Sequence, residues 1–145
     1  MIARLRERFG HASAERAVSG PGLVNLYVAL CEVHGVPAQP LEAAEVSARA
    51  ATGEDTQCVQ AIELFFSFLG NVAGNLALSL GARGGVYIGG GIVPRLGGAI
   101  DHSRFRERFE AKGRFAGYLQ AIPTLVVQAR VSPALLGAAR ALDDL

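Results

Sequence analysis

Three groups of residues have the type and spacing to do chemistry. The first is Gly84-Gly85-Val86-Tyr87-Ile88-Gly89-Gly90-Gly91-Ile92-Val93-Pro94-Arg95, where an apolar run from Val86 to Ile88 meets three consecutive glycines and then a proline able to open a helix. Glycine has no Cβ and accepts positive φ, so the run permits a sharp turn and lets another molecule approach bare main chain. Strand, glycine turn and helix in that order is how open α/β sheets place nucleotides, in the crevice at the strands' carboxyl ends. The second is Glu15, ahead of the turn cluster Ser19-Gly20-Pro21-Gly22. That cluster reads as a helix amino end, where unpaired N–H groups receive anions and polar ligands, although a solvated surface glutamate is the ordinary reading of such a residue. The third is Cys31 with His34, a C-x-x-H pair on one helix. Zinc needs three or four ligands and nothing nearby supplies the rest, so a core cysteine and a helix-end histidine are the simpler reading.

Other chemistries are excluded or outweighed. There is no G-x-x-x-x-G-K-[ST] pattern, and the only lysine, Lys112, lies outside the glycines, so this is no P-loop. A G-x-G-x-x-G followed by a placed acidic residue is also lacking. Arg104, Arg106, Arg108 and Arg114 alternate with Phe105, Phe109 and Phe115, which could suggest a nucleic-acid face. Asp101, Glu107 and Glu110 cancel much of that charge, so the arginines read as a solvated face and the phenylalanines as its buried side. No Ser-His-Asp or Cys-His arrangement and no acid and base pair of carboxylates emerges, so no catalytic residue and no metal ligand is assigned.

The elements that must position these residues are mostly helical. The chain has 145 residues, half of them apolar, and a net charge of +1. That length suits one domain with a real core, and the charge gives no case for nucleic acid or acidic lipid. Cys31 and Cys58 fall in apolar helical patterns without disulfide-scaffold spacing, as expected of a protein in a reducing cytoplasm. Ile2 to Phe9 lacks the apolar core of a signal peptide and reads as the tail of a helix whose start is missing. His11 to Val18 reads as a connection or short strand. Helices are expected over Leu23 to His34, closed by Gly35, over Leu41 to Thr52, closed by Gly53, and over Asp55 to Leu80. The third, ~39 Å long at the standard rise, carries Cys58, Ile62, Phe65, Leu69, Val72, Leu76 and Leu80 as one stripe. Gly70 and Gly74 on it would admit another backbone, and with Asn71 and Asn75 they argue for a buried helix and against a membrane span. Asp101 to Lys112 and Arg114 to Gln120 are shorter helices, Thr124 to Ala129 a buried strand, and Ser132-Pro133 starts a last helix with Leu135, Leu136, Ala139 and Leu142 inward. The class is α/β, yet two strands are too few for a self-sufficient sheet, so the chain looks like part of a larger unit that could self-associate.

Three stretches, in register along essentially the whole chain, resemble the carboxyl-terminal part of bacterial glucokinases, in the sugar-kinase, heat-shock ATPase and actin superfamily. They are Ser13-Ala14-Glu15-Arg16-Ala17-Val18-Ser19-Gly20-Pro21-Gly22-Leu23-Val24-Asn25-Leu26-Tyr27, the glycine stretch Gly84 to Arg95, and Ser103 to Phe115 running on to Ile122-Pro123-Thr124. The resemblance implies a helix-rich portion of an actin-like, ribonuclease H-like lobe, 1–145 being one domain, and transfer of the ATP γ-phosphoryl to the 6-hydroxyl of glucose with Mg2+. It places Glu15 on the sugar hydroxyls, for which a carboxylate is a double acceptor. It places Gly89, Gly90 and Gly91 along the nucleotide, with Ile92 beside the purine. The family's D-x-G-G-T loop, its Asn-Asp pair with the base, its G-E-G-G-H segment and its second phosphate loop are absent, so the chain is expected to be inactive alone. The alternative is a non-catalytic sugar-binding or dimerisation module akin to sugar-kinase-like repressors. Those share E-x-x-x-S-G but carry a DNA-binding helix-turn-helix, which has no counterpart here.

Overall fold

The fold is organised by a single long helix. In the computed structural model, which describes residues 1–129 and 131–143, helix α4 (Thr56–Leu80) is capped at its start by Asp55. The Asp55 carboxylate accepts from the N–H groups of Gln57 (2.9 Å) and Cys58 (3.1 Å), two of the donors a helix start leaves unpaired. Gly81 in left-handed conformation ends it. Around α4 lie α2 (Gly20–His34), α3 (Ala43–Thr52) and α6 (Phe105–Glu110), while α1 (Ile2–Phe9) leans on α2. Leu23, Leu26, Tyr27, Val46, Cys58, Phe65, Phe66, Phe109 and Leu119 fill the space between them. The length and hydropathy of α4 are those of a membrane span, but its buried residues face these helices.

The stripe on α4 changes character along the helix. Cys58, Ile62 and Phe65 are buried as the spacing predicts, whereas Leu76 and Leu80 are exposed. In their place the inward face of the second half is Gly70, Ala73, Gly74 and Ala77. The reason is the closeness of α6, which crosses so tightly that a Cβ on Gly70 would overlap the carbonyl oxygen of Phe105, and one on Gly74 that of Phe109. The expected backbone approach at the two glycines is therefore present. Lys112, just past α6, completes the junction by donating to the carbonyl oxygen of Asn71 (3.1 Å) and to its side chain.

Two parallel strands follow, β1 (Val86–Ile88) and β2 (Thr124–Val126), paired Val86 to Thr124, Tyr87 to Leu125 and Ile88 to Val126. Between them the chain forms α5 (Ile92–Arg95), a 3-10 turn at Gly97–Ile100, α6, a second 3-10 turn at Gly113–Phe115 and α7 (Ala116–Gln120). Arg106 is no solvated residue. Its guanidinium pairs with Glu110 and donates to the carbonyls of Ile122 (2.8 Å), Leu119 (3.2 Å) and Gln120 (2.9 Å), which ties α6 to the end of α7 and the chain that leads into β2. The Tyr118 hydroxyl donates to Ala82 (2.6 Å), so α7 fixes the approach to β1 as Arg106 fixes the approach to β2.

Several expected elements differ. The segment His11 to Val18 holds a 3-10 turn at Ala14–Arg16 in place of a strand. The helix expected over Asp101 to Lys112 shortens to Phe105–Glu110, because Ser103 and Arg104 are used in turns ahead of it. Phe115 is exposed. The last helix, α8 (Pro133–Asp143), starts at the proline as expected, but Leu135, Leu136 and Leu142 point to solvent, and every one of its residues is exposed.

Candidate functional site

Two concavities lie on either side of the amino end of α2. The smaller, about 290 Å³, is lined by Ser13, Glu15, Arg16, Ser19, Pro21 and Asn25. Its shape follows from how the Glu15 segment is tied to the helix. The Ser19 hydroxyl caps α2 by accepting from the Gly22 N–H (2.9 Å) and donates to the main-chain carbonyl of Glu15 (2.7 Å). Asn25, buried one turn further on, donates from Nδ2 to the carbonyl of Arg16 (3.1 Å). A Cβ on Gly22 would stand 2.7 Å from the Ala17 carbonyl carbon, so this glycine lets the segment lie directly against the helix. The carboxylate of Glu15 is left exposed, without an ion pair to any described residue, and the Arg16 guanidinium is occupied over the Phe9 ring 4.3 Å away. The main chain is thus fixed while the carboxylate keeps all its acceptor positions, which is what recognition of a neutral polyol needs.

The larger cavity, about 560 Å³, falls within the size range of small-molecule sites. Leu23 of α2 forms its floor and is fully buried, so α2 is a wall shared by both concavities. Its sides are the small residues of α3, from Ala43 to Ala51, and Val59, Ile62 and Glu63 of α4. The remaining side is Ile92, Arg95 and Leu96 of the α5 region, with Ala99 and His102 beyond. The lining is mostly apolar, with Glu63, Arg95, His102 and Ser47 as the polar positions.

The glycine bend directly precedes the lining residue Ile92 in the chain. Gly90 has φ +103°, a conformation that side chains rarely adopt, and a Cβ at Gly89 or Gly90 would meet no atom within 4 Å. At Gly91, which precedes the first turn of α5, only the Arg95 guanidinium comes within 3.8 Å. The bend is therefore open main chain. Of the four nucleotide-side residues singled out in the sequence, Ile92 lines the cavity and Gly89, Gly90 and Gly91 do not, whereas Glu15 belongs to the other concavity.

Sequence reasoning missed α3 as a wall of the site. The signal was its alanine content, since Ala43, Ala44, Ala48 and Ala51 leave unfilled a space that larger side chains would close. It also gave no role to Arg95, Glu63 or His102. Among the described residues no cluster of three metal-ligating side chains occurs, and both cysteines are buried and unpaired. Burial, with the Asp55 charge adding to it, pushes the Cys58 thiol up to about 12, so it is neither a nucleophile nor a ligand near neutrality.

The family description "Glucokinase" matches residues 1–145. The chain belongs to the glucokinase family. It is 57% identical over 144 residues to a glucokinase of Aromatoleum aromaticum, covering 99% of this chain and 43% of that protein. To a glucokinase of Nitrobacter hamburgensis it is 56% identical over 139 residues, with 96% and 43% covered. A crystal structure of glucokinase from an Antarctic psychrotroph superposes with a TM-score of 0.88 at 42% identity, over 99% of this chain and 44% of the other. The chain thus spans less than half the length of the relatives it matches, over their carboxyl-terminal portion. The α/β class agrees with that superposition.

Proposed function

We propose that this chain is the carboxyl-terminal lobe portion of a cytoplasmic, ATP-dependent glucokinase, one domain over 1–145, and that it holds both substrates without itself carrying out the chemistry. The overall reaction is ATP plus glucose to ADP plus glucose 6-phosphate, the entry step of glycolysis. The γ-phosphorus to β-bridging-oxygen bond breaks and a bond from phosphorus to the 6-oxygen forms, the hydroxyl proton passing to a base. Catalysis of this kind rests on positioning and on charge around the γ-phosphate. This chain's part is positioning.

Glu15 accepts hydrogen bonds from two sugar hydroxyls and orients the ring, its segment held still by Ser19 and Asn25. The adenosine lies against Gly89, Gly90 and Gly91, with the purine beside Ile92 in the 560 Å³ cavity. Mg2+ neutralises phosphate charge in such reactions, but the described residues offer it no cluster of ligands, so no step is assigned to it on this chain. No residue here is given the role of base.

The observation that supports the reading is the unobstructed bend at Gly89 and Gly90, followed two residues on by Ile92 in the lining of an apolar cavity of small-molecule size. Calorimetry tests it. The purified chain should bind a non-hydrolysable ATP analogue, and Gly90→Val should abolish binding because valine is strained at φ +103° and would block the approach. Binding unchanged in both Gly90→Val and Ile92→Asp would overturn the site. Prepared from a host without glucose kinases, the chain should form no glucose 6-phosphate, and turnover by it would overturn the division of labour.

A further inference from the structure

One side chain, Arg95, belongs both to the larger cavity and to the glycine bend. It lines the cavity of about 560 Å³, and its guanidinium lies 3.8 Å from the point where a Cβ on Gly91 would stand. The cause is local. Gly91 and Arg95 are four residues apart across the single turn of α5, and helical side chains lean toward the amino end, so the arginine runs back over the glycine. With no side chain at Gly91, the space beneath the guanidinium stays open. The guanidinium is also unspent. Arg104 and Arg106 pair with glutamates and Arg16 lies over a phenylalanine ring, whereas Arg95 makes no ion pair, ring contact or side-chain hydrogen bond with any described residue. Charge is unevenly placed around the cavity. Among its described lining residues Arg95 is the one permanent cation, on α5, and Glu63 the one carboxylate, on α4. A polyanion entering the cavity is therefore drawn toward α5 and repelled from α4.

We infer that Arg95 contacts the phosphate nearest the ribose and so sets which way the nucleotide lies. The inference rests on the proposed placement of adenosine against Gly89, Gly90 and Gly91 with the purine beside Ile92. Ile92 and Arg95 are three residues apart on α5 and neighbours on one face, so a purine on Ile92 leaves the adjoining phosphate under the guanidinium that overhangs Gly91. Two N–H groups of one guanidinium match two oxygens of one phosphate, a charge-assisted pairing whose geometry a lysine does not reproduce. Because the side chain curls back over the bend, it reaches the first phosphate and not the γ-phosphate two phosphorus atoms further on. Arg95 is thus an anchor at the non-reacting end of the polyphosphate. Its contact is the same before and during transfer, so it contributes to affinity and not to rate.

Calorimetry on the full 145-residue chain titrates adenosine, AMP and a non-hydrolysable ATP analogue into the parent, Arg95→Gln, Arg95→Lys and Arg83→Gln. Arg95→Gln should lose about tenfold or more in affinity for AMP and for the ATP analogue alike, the size expected for a lost charged hydrogen bond, and nothing for adenosine. Arg95→Lys keeps the charge without the fork and should lose less. Added salt should weaken AMP binding more steeply in the parent than in Arg95→Gln. Arg83→Gln removes another exposed arginine, ahead of β1, and should leave all three affinities unchanged. Arg95 is exposed, so folding is not at risk, and an unchanged circular dichroism spectrum verifies it. The inference is overturned if Arg95→Gln binds AMP as the parent does, if adenosine is lost in step with AMP, or if only the ATP analogue is affected, which would put Arg95 on a later phosphate. A parent that binds neither adenosine nor AMP overturns the proposed adenosine site and this inference with it. A parent that binds both, with Arg95→Gln changing neither, overturns this inference alone.

Discussion

Around α4, the side chains of Phe65, Phe66 and Ala73 all meet neighbouring helices, whereas in β1, β2 and α8 the side chains of Tyr87, Leu125, Leu135 and Leu142 are left in water. The two regions have similar apolar content but different closure. One satisfies its hydrophobic groups internally, and the other leaves them exposed. The difference decides where the proposed sites can be rigid. Glu15 hangs on α2, inside the closed region, while the glycine bend joins the closed region to the open one.

The contrast is broken most directly by truncation. Phe109→Ala removes a fully buried ring from the α4 to α6 junction and should cost ~3–5 kcal/mol in urea unfolding. Leu136→Ala, at 55% exposure, should change stability by less than ~0.5 kcal/mol in the isolated chain. If the two costs are alike, α8 packs on something in solution and the division into regions fails.

A smaller effect sharpens the closed side. Gly70→Ala gains about 1 kcal/mol of helix propensity. Its Cβ would overlap main chain at Phe105, which cannot rotate away, and overpacking of that kind costs ~1–3 kcal/mol. Net destabilisation is therefore expected, and a more stable variant would mean that α6 sits further from α4 than the structure has it.

Cys58 probes the same core with pH. Its folded pKa of about 12 lies above the ordinary thiol value of 9.0, so the folded state holds a proton that the unfolded state gives up. This stabilisation is complete below about pH 9 and is lost between there and about pH 12, at roughly 1.4 kcal/mol per pH unit. Tyr27, raised chiefly by burial, adds a loss of the same sign, whereas burial lowers Lys112, which works in the opposite direction. Cys58→Ala isolates the thiol. Its stability should fall less steeply from pH 9 to 10 than the parent's, and equal slopes would place Cys58 in contact with water.

How much of this was legible in the sequence depended on who supplies the partner atoms. The glycine stops at Gly35 and Gly53 and the Gly70 and Gly74 crossing are local, and each is present where its residue type requires. The helix amino end at Ser19 to Gly22 and the Val86 to Ile88 strand were equally readable. Periodicity failed where the burying surface is remote. Leu76 and Leu80 continue the apolar stripe but have nothing opposite them, because α6 selects small residues for its contact. The α8 leucines have the spacing of an inward face without an inside to meet. At the candidate site, motif reading singled out Glu15 and the glycines, but the α3 alanines were invisible as a wall, since a cavity is defined by the atoms that are not there.

The smallest stability effects fall on the Glu15 segment, and there the ranking should invert between folding and binding. Ser19→Ala removes the α2 cap and the tie to the Glu15 carbonyl, a loss of ~1 kcal/mol in unfolding experiments. Glu15→Gln alters an exposed group with no partner among the described residues, so its stability change should stay within ~0.5 kcal/mol. Toward glucose the carboxylate matters more, because a charged acceptor is worth ~1.5–3 kcal/mol per bond where a neutral amide gives ~1. Calorimetry with glucose should therefore show a loss of about tenfold for Glu15→Gln and a smaller one for Ser19→Ala, whose segment Asn25 still holds through Arg16. Equal losses would mean that the shape of the cleft, and not the Glu15 charge, recognises the sugar.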